Sequence, residues 1–79
     1  MIAKPATSGL NYALLRRRCL DAVRQWPGCE SISGIRIVRL NNGGFSVCVT
    51  VYGEVRKSLA DRAIGAVERE MRRQFHLSE

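Results

Sequence analysis

Residues 34–53 read Gly-Ile-Arg-Ile-Val-Arg-Leu-Asn-Asn-Gly-Gly-Phe-Ser-Val-Cys-Val-Thr-Val-Tyr-Gly. Phe45, Val47, Val49 and Val51 alternate with Ser46, Cys48, Thr50 and Tyr52. That period of two gives a strand one apolar and one more polar face. Asn41-Asn42-Gly43-Gly44 supplies residues that tolerate positive φ, as a tight hairpin turn requires. The stretch therefore predicts a β-hairpin with strands at about 34–41 and 45–52. Two registers are open. A two-residue turn at Asn42-Gly43 puts Val38 on the Val47 face. A three-residue loop with a glycine bulge sets Ile37 near Val49 and Ile35 near Val51. The bulged register is preferred because it gathers Ile35, Ile37, Val47, Val49 and Val51 on one apolar face. Val38, Leu40, Cys48 and Tyr52 then lie on the reverse, among Arg36, Ser46 and Thr50.

Helical patterns flank the hairpin. Tyr12, Leu15, Cys19, Ala22, Val23 and Trp26 follow the spacing of an amphipathic helix over about 10–25, with Thr7 or Ser8 as its cap. Pro27-Gly28 ends it. Leu10, Leu14 and Leu20 lie off that stripe and mark either fringe contacts or a second buried face. After a linker at 53–57, Ser58-Leu59-Ala60-Asp61 resembles a capping box and opens a helix over about 58–75. Ala60, Ala63, Ile64, Val67, Met71, Gln74 and Phe75 form its inward stripe. Arg62, Arg69, Arg72 and Arg73 face outward, Glu68 and Arg72 stand at i, i+4, and Gly65 falls on the outer side. The expected fold is α+β, ordered α-β-β-α, an antiparallel hairpin with two helices packed on one face. Its expected core includes Leu15, Trp26, Ile37, Val49, Val51, Ile64, Val67 and Met71.

A chain of 79 residues is one domain, 1–79, with residues 1–8 expected as a flexible leader. A hydrophobic fraction of 46% argues against disorder. No apolar run approaches the ~18 residues that span a bilayer, and the N-terminal residues lack a signal-peptide pattern, so the expectation is a cytoplasmic protein without membrane insertion. Cys19, Cys29 and Cys48 are odd in number and widely spaced, which suits small buried hydrophobes better than a disulfide framework or a metal knuckle. The net charge of +6 draws in nucleic acid, anionic lipid or acidic proteins without setting specificity.

Catalytic chemistry has little to stand on. His76 is the sole imidazole, close to the C-terminal end and read as a solvated side chain, so no cysteine has an evident base. Gly43-Gly44 is not followed by a helix and lacks the context of a phosphate loop. The expectation is a non-enzyme without a cofactor. Arg16-Arg17-Arg18 is the loudest charge feature. On a helix its members point ~100° apart, so Arg17 and Arg24 face outward while Arg16 and Arg18 flank the core stripe. With Arg62, Arg69 and Arg73, the residues Arg16, Arg17 and Arg24 are the candidate contacts for a partner or for nucleic acid. The hairpin carries no row of stacking aromatics, because Phe45 and Tyr52 fall on opposite faces.

The segment Ile32-Ser33-Gly34-Ile35, then Gly43-Gly44 and Phe45 to Val51, then Ser58-Leu59-Ala60-Asp61-Arg62-Ala63 and Val67-Glu68-Arg69-Glu70-Met71 to Phe75, resembles the cytoplasmic C-terminal domain of cation diffusion facilitator transporters. With the preceding helix and Trp26-Pro27-Gly28, the likeness spans about two-thirds of the chain. It implies an α-β-β-α-β domain with a dimerising habit. The family often places metal-binding histidines in the second strand and early in the second helix. Here those regions hold Thr50, Val51 and Tyr52, and Arg62, Ala63 and Ile64, none a good transition-metal ligand. A clear third strand is missing too.

The sequence thus points to a non-catalytic binding or regulatory module, expected as a homodimer with Val38, Leu40, Cys48 and Tyr52 as dimer contacts, and a protein partner is also open. The runner-up is a basic nucleic-acid-binding protein. A third option is a stand-alone metal-sensing domain using Cys29, Cys48 or His76.

Overall fold

The computed structural model describes residues 7–40 and 44–78. Its elements run β1 (Ser8–Leu10), α1 (Tyr12–Arg24), β2 (Gly34–Arg39), β3 (Phe45–Val51), α2 (Lys57–Gln74) and β4 (Phe75–Leu77). The expected α-β-β-α centre is present, as an α+β fold with an antiparallel hairpin. It is flanked by two short strands that the sequence reading did not foresee. β1 and β4 pair in parallel as a separate two-stranded sheet, with Ser8 opposite Phe75 and Leu10 opposite Leu77. The Ser78 amide extends the pairing to the Leu10 carbonyl at 2.9 Å. Ser8 is therefore strand rather than leader; residues 1–6 of the expected leader lie outside the described residues.

In the hairpin Ile37 faces Val47 and Ile35 faces Val49. The expected face parity holds, but the register sits two residues from the one preferred above. The turn at 41–43 lies outside the described residues. A bulge between Gly34 and Ile35 then sets Gly34 opposite Val51. An extra residue in one strand reverses the facing of everything beyond it. Phe45 and Val47 are buried and Val49 is half-buried, whereas Val51 is 49% exposed. Tyr52 swings to the α2 side, where its hydroxyl donates to Asp61 Oδ1 at 3.1 Å. The expectations that Val51 is core and that Tyr52 lies on the reverse face are both corrected by this bulge.

Both helices lie against one side of the hairpin. Leu15, Cys19 and Val23 of α1 and Ala60, Ala63, Ile64 and Val67 of α2 are buried with Cys29, Ile32, Ile35, Ile37, Phe45 and Val47. Trp26 and Met71 pack at the margin, half-buried rather than central, and Gln74 is exposed. Of the fringe leucines, Leu10 and Leu20 pack on the core, while Leu14 is 49% exposed. The caps differ from those expected. Asn11 caps α1, its side chain accepting the Leu14 amide at 2.9 Å, because β1 has already claimed Ser8. Arg56 occupies the N-cap of α2 without a side-chain hydrogen bond. Asp61 is instead drawn to Lys57 Nζ at 2.7 Å.

Each edge of the hairpin is occupied in part. Ile37 donates its amide to the Tyr12 hydroxyl at 3.4 Å, and Arg16 Nε donates to the Ile35 carbonyl at 3.0 Å. On the other edge, Glu68 Oε1 accepts the Val47 amide at 2.7 Å and the Ser46 hydroxyl at 2.9 Å. Exposed strand edges invite pairing with other chains, and covering them suppresses it. Glu68 therefore serves β3 rather than the i, i+4 pair with Arg72.

Candidate nucleic-acid interface

The six candidate arginines divide by what already holds them. Arg16 is half-buried on the β2 edge through its bond to Ile35. Arg24 Nε donates to the Glu30 carbonyl at 3.2 Å, which ties the end of α1 to the following loop. Both spend part of their donor capacity inside the chain. Arg17 is exposed and borders a shallow groove with Leu14, Arg18 and Asp21. Arg18 lies over the Phe75 ring, 5.4 Å from its centre, a cation–π contact that links α1 to β4.

Arg62, Arg69 and Arg73 are exposed on α2. At 100° per residue, positions 62, 65, 66, 69 and 73 fall within about 100° of arc, opposite the buried stripe of Ala60, Ile64 and Val67. Two of the three acids of α2, Asp61 and Glu68, are engaged away from these arginines, and Glu70 pairs with Arg73. Asp61 holds Lys57 and Tyr52, Glu68 holds β3, and Glu70 takes Gln74 at 2.9 Å and Arg73 at 3.8 Å. Among the described residues, neither Arg62 nor Arg69 has an ion-pair partner. The outward stripe of α2 is thus a basic ridge whose charge the chain leaves largely uncompensated. Sequence spacing places these three together, but it does not reveal that Arg16 and Arg24 bind backbone carbonyls.

The reverse hairpin face carries Arg36, Val38, Cys48, Thr50 and, beyond the bulge, Val51, all exposed. No acid stands among them. Of the expected dimer contacts, Val38 and Cys48 lie here, Leu40 is half-buried at the strand end, and Tyr52 has left for α2.

Cys19 is buried, and burial foremost, then the Glu68 carboxylate, pushes its thiol to about 11. Cys29 is buried, and its thiol too is raised by burial and then by Glu30. Cys48 is exposed rather than buried. His76 belongs to β4, where Nδ1 shares a 2.7 Å hydrogen bond with Thr7 Oγ1, so it is anchored rather than frayed. Among the described residues, no three of the His, Cys, Asp and Glu side chains gather as a metal site. No helix among them is long and apolar enough to cross a membrane. Comparison of the chain with protein-family models, with curated proteins and with solved structures returns no match.

Proposed function

We propose that this protein is a small non-catalytic binding module whose partner is a polyanion, nucleic acid foremost. The observation that carries the reading is the disposition of charge. The chain holds 13 basic against seven acidic side chains, and each acid of α2 already has a partner within the chain. Arg17, Arg62 and Arg69 stand exposed. Surplus exposed guanidinium groups release counterions from a phosphate backbone, which makes binding steeply salt-dependent. The cysteines fit a cytoplasmic setting, since none is paired.

The test is fluorescence anisotropy with short labelled nucleic acids between 50 and 200 mM salt. Three phosphate contacts imply a slope of about −2.7 in log K against log salt. Absence of binding at 50 mM salt overturns the reading.

A second reading, a homodimeric regulatory module of the kind that the cation-efflux resemblance implies, is favoured by the uncovered reverse face with Val38 at 39% and Val51 at 49% exposure. Dimerisation by strand pairing would have to displace Tyr12, Arg16 or Glu68 from the edges. Dimerisation face to face would bring Arg36 near its copy, so it should tighten as salt rises. Sedimentation at low and high salt decides it, and a monomer at both refutes the dimer.

A further inference from the structure

We infer, building on the polyanion-binding reading, that the outward face of α2 is the contact surface and that it seats in the major groove of duplex DNA, with Gly65 at the point of closest approach. The helix has 18 residues, about 27 Å of length at 1.5 Å per residue. Arg62 and Arg69 stand two turns apart on one side, about 10.5 Å along the axis, and Arg73 follows one turn later. Gly65 and Ala66 lie between them. The ridge is therefore high at its arginines and low in the middle, a profile that lets the backbone approach a partner while guanidinium groups reach to either side.

Gly65 has no reason inside the chain. A Cβ built there meets nothing within 4 Å, and the residue sits in regular helix, where glycine is less favourable than alanine. Gly53, by contrast, has a positive φ of 67° and Ser31 pressed against it. A second copy of the chain is a poor occupant of the α2 face, because it would set Arg62, Arg69 and Arg73 against basic surface. An anion-lined groove is complementary in both charge and shape. The B-form major groove, about 12 Å wide, admits an α-helix. The A-form groove of duplex RNA is too narrow, and single strands are held by stacking aromatics, of which α2 has none.

The experiment is anisotropy on a 20-base-pair DNA duplex, the RNA duplex of the same sequence and the single DNA strand. Wild type is compared with Gly65→Gln and with the Arg62→Ala/Arg69→Ala double variant. Glutamine is a better helix former than glycine and its side chain meets open space, so Gly65→Gln folds, which circular dichroism verifies. The expected result is at least tenfold weaker duplex-DNA binding for Gly65→Gln. The double variant should lower the salt slope by about 1.8. Duplex DNA should be preferred over the other two probes. Wild-type affinity in Gly65→Gln, with weakened binding in the double variant, overturns the groove seating and leaves polyanion binding in place. An unchanged double variant moves the contact surface off α2. Equal binding of duplex RNA or single strand overturns the choice of duplex DNA. Absence of any salt-dependent binding by wild type overturns both readings together.

Discussion

Glu68 of α2 accepts the Val47 amide of β3 at 2.7 Å, and the same carboxylate oxygen takes the Ser46 hydroxyl at 2.9 Å. One side chain thus closes a strand edge and fixes the helix on the hairpin. Hydrogen bonds to charged groups contribute about 1.5–3 kcal/mol, and removing one partner leaves the other unsatisfied. Glu68→Ala should therefore lower unfolding stability by about 1–3 kcal/mol, with Glu68→Gln losing less because it keeps an acceptor. Urea titration of the three proteins checks the order. An alanine variant as stable as wild type would mean that water replaces the carboxylate at no cost.

Asp61 gives the protein an acid-side pH dependence. The hydrogen bond from Lys57, foremost, and that from Tyr52 hold its carboxyl below the usual carboxylate range, against partial desolvation. A depressed folded value means that its contribution is present above the unfolded pKa, about 3.9, and disappears as pH falls through the folded value. Thermal midpoints of wild type and Asp61→Asn should differ at pH 6, and the gap should narrow progressively as pH falls below about 4. A gap that stays constant from pH 6 to pH 2 would remove Asp61 from the account.

The thiols should react in two classes. Cys48 is exposed, while Cys19 and Cys29 are buried with thiols raised by burial. A thiolate is the reacting form, so a buried, raised thiol is slow. An Ellman assay at pH 8 should count one fast thiol in native protein and all three cysteines in guanidinium. The same shift makes Cys19 an alkaline liability. Its stabilising effect is complete below the unfolded thiol value, about 8.5, and is lost as pH rises toward about 11.

The hairpin, both helices and the inward stripe of α2 were legible because their apolar periods are long and uninterrupted. β1 and β4 were not. Each has three residues, too few for a period, and Gln74 to Phe75 passes from helix to strand with no glycine or proline between. The bulge at Gly34–Ile35 was also hidden, because Phe45 to Val51 alternates without a break and only the pairing with β2 shifts. In the candidate interface, Arg62, Arg69 and Arg73 could be grouped from helical spacing alone. The removal of Arg16 to the β2 edge depends on where α1 meets the hairpin, a tertiary fact with no local signal.

That hidden bulge makes a prediction of its own. Ile64 is 6% exposed in the core and Val51 is 49% exposed beyond the bulge. Ile64→Ala should lose about 2–5 kcal/mol, enough to unfold much of so small a domain. Val51→Ala should stay within about 0.5 kcal/mol, as surface substitutions do. Thermal melts of both variants check the contrast. A Val51→Ala loss comparable to that of Ile64→Ala would place Val51 back in the core and void the bulge.

Two glycines should respond to alanine with opposite sign. Gly53 joins β3 to the approach to α2 with φ 67°, a region that L residues enter at about 1–2 kcal/mol. A Cβ there would run into the Ser31 carbonyl oxygen and side chain. Ser31 has little room to yield, since its hydroxyl donates to the Tyr52 carbonyl at 3.4 Å and accepts the Glu54 amide at 3.0 Å. Strain and collision add, so Gly53→Ala should destabilise by about 2 kcal/mol or more. Gly65 has helical backbone and open space at its Cβ, so Gly65→Ala should stabilise by about 1 kcal/mol, the difference in helix propensity. Chemical denaturation of the two variants beside wild type gives both signs. If Gly65→Ala also destabilised, something in the folded chain would be using the space above that glycine, and the outward face of α2 would not be free to meet a partner.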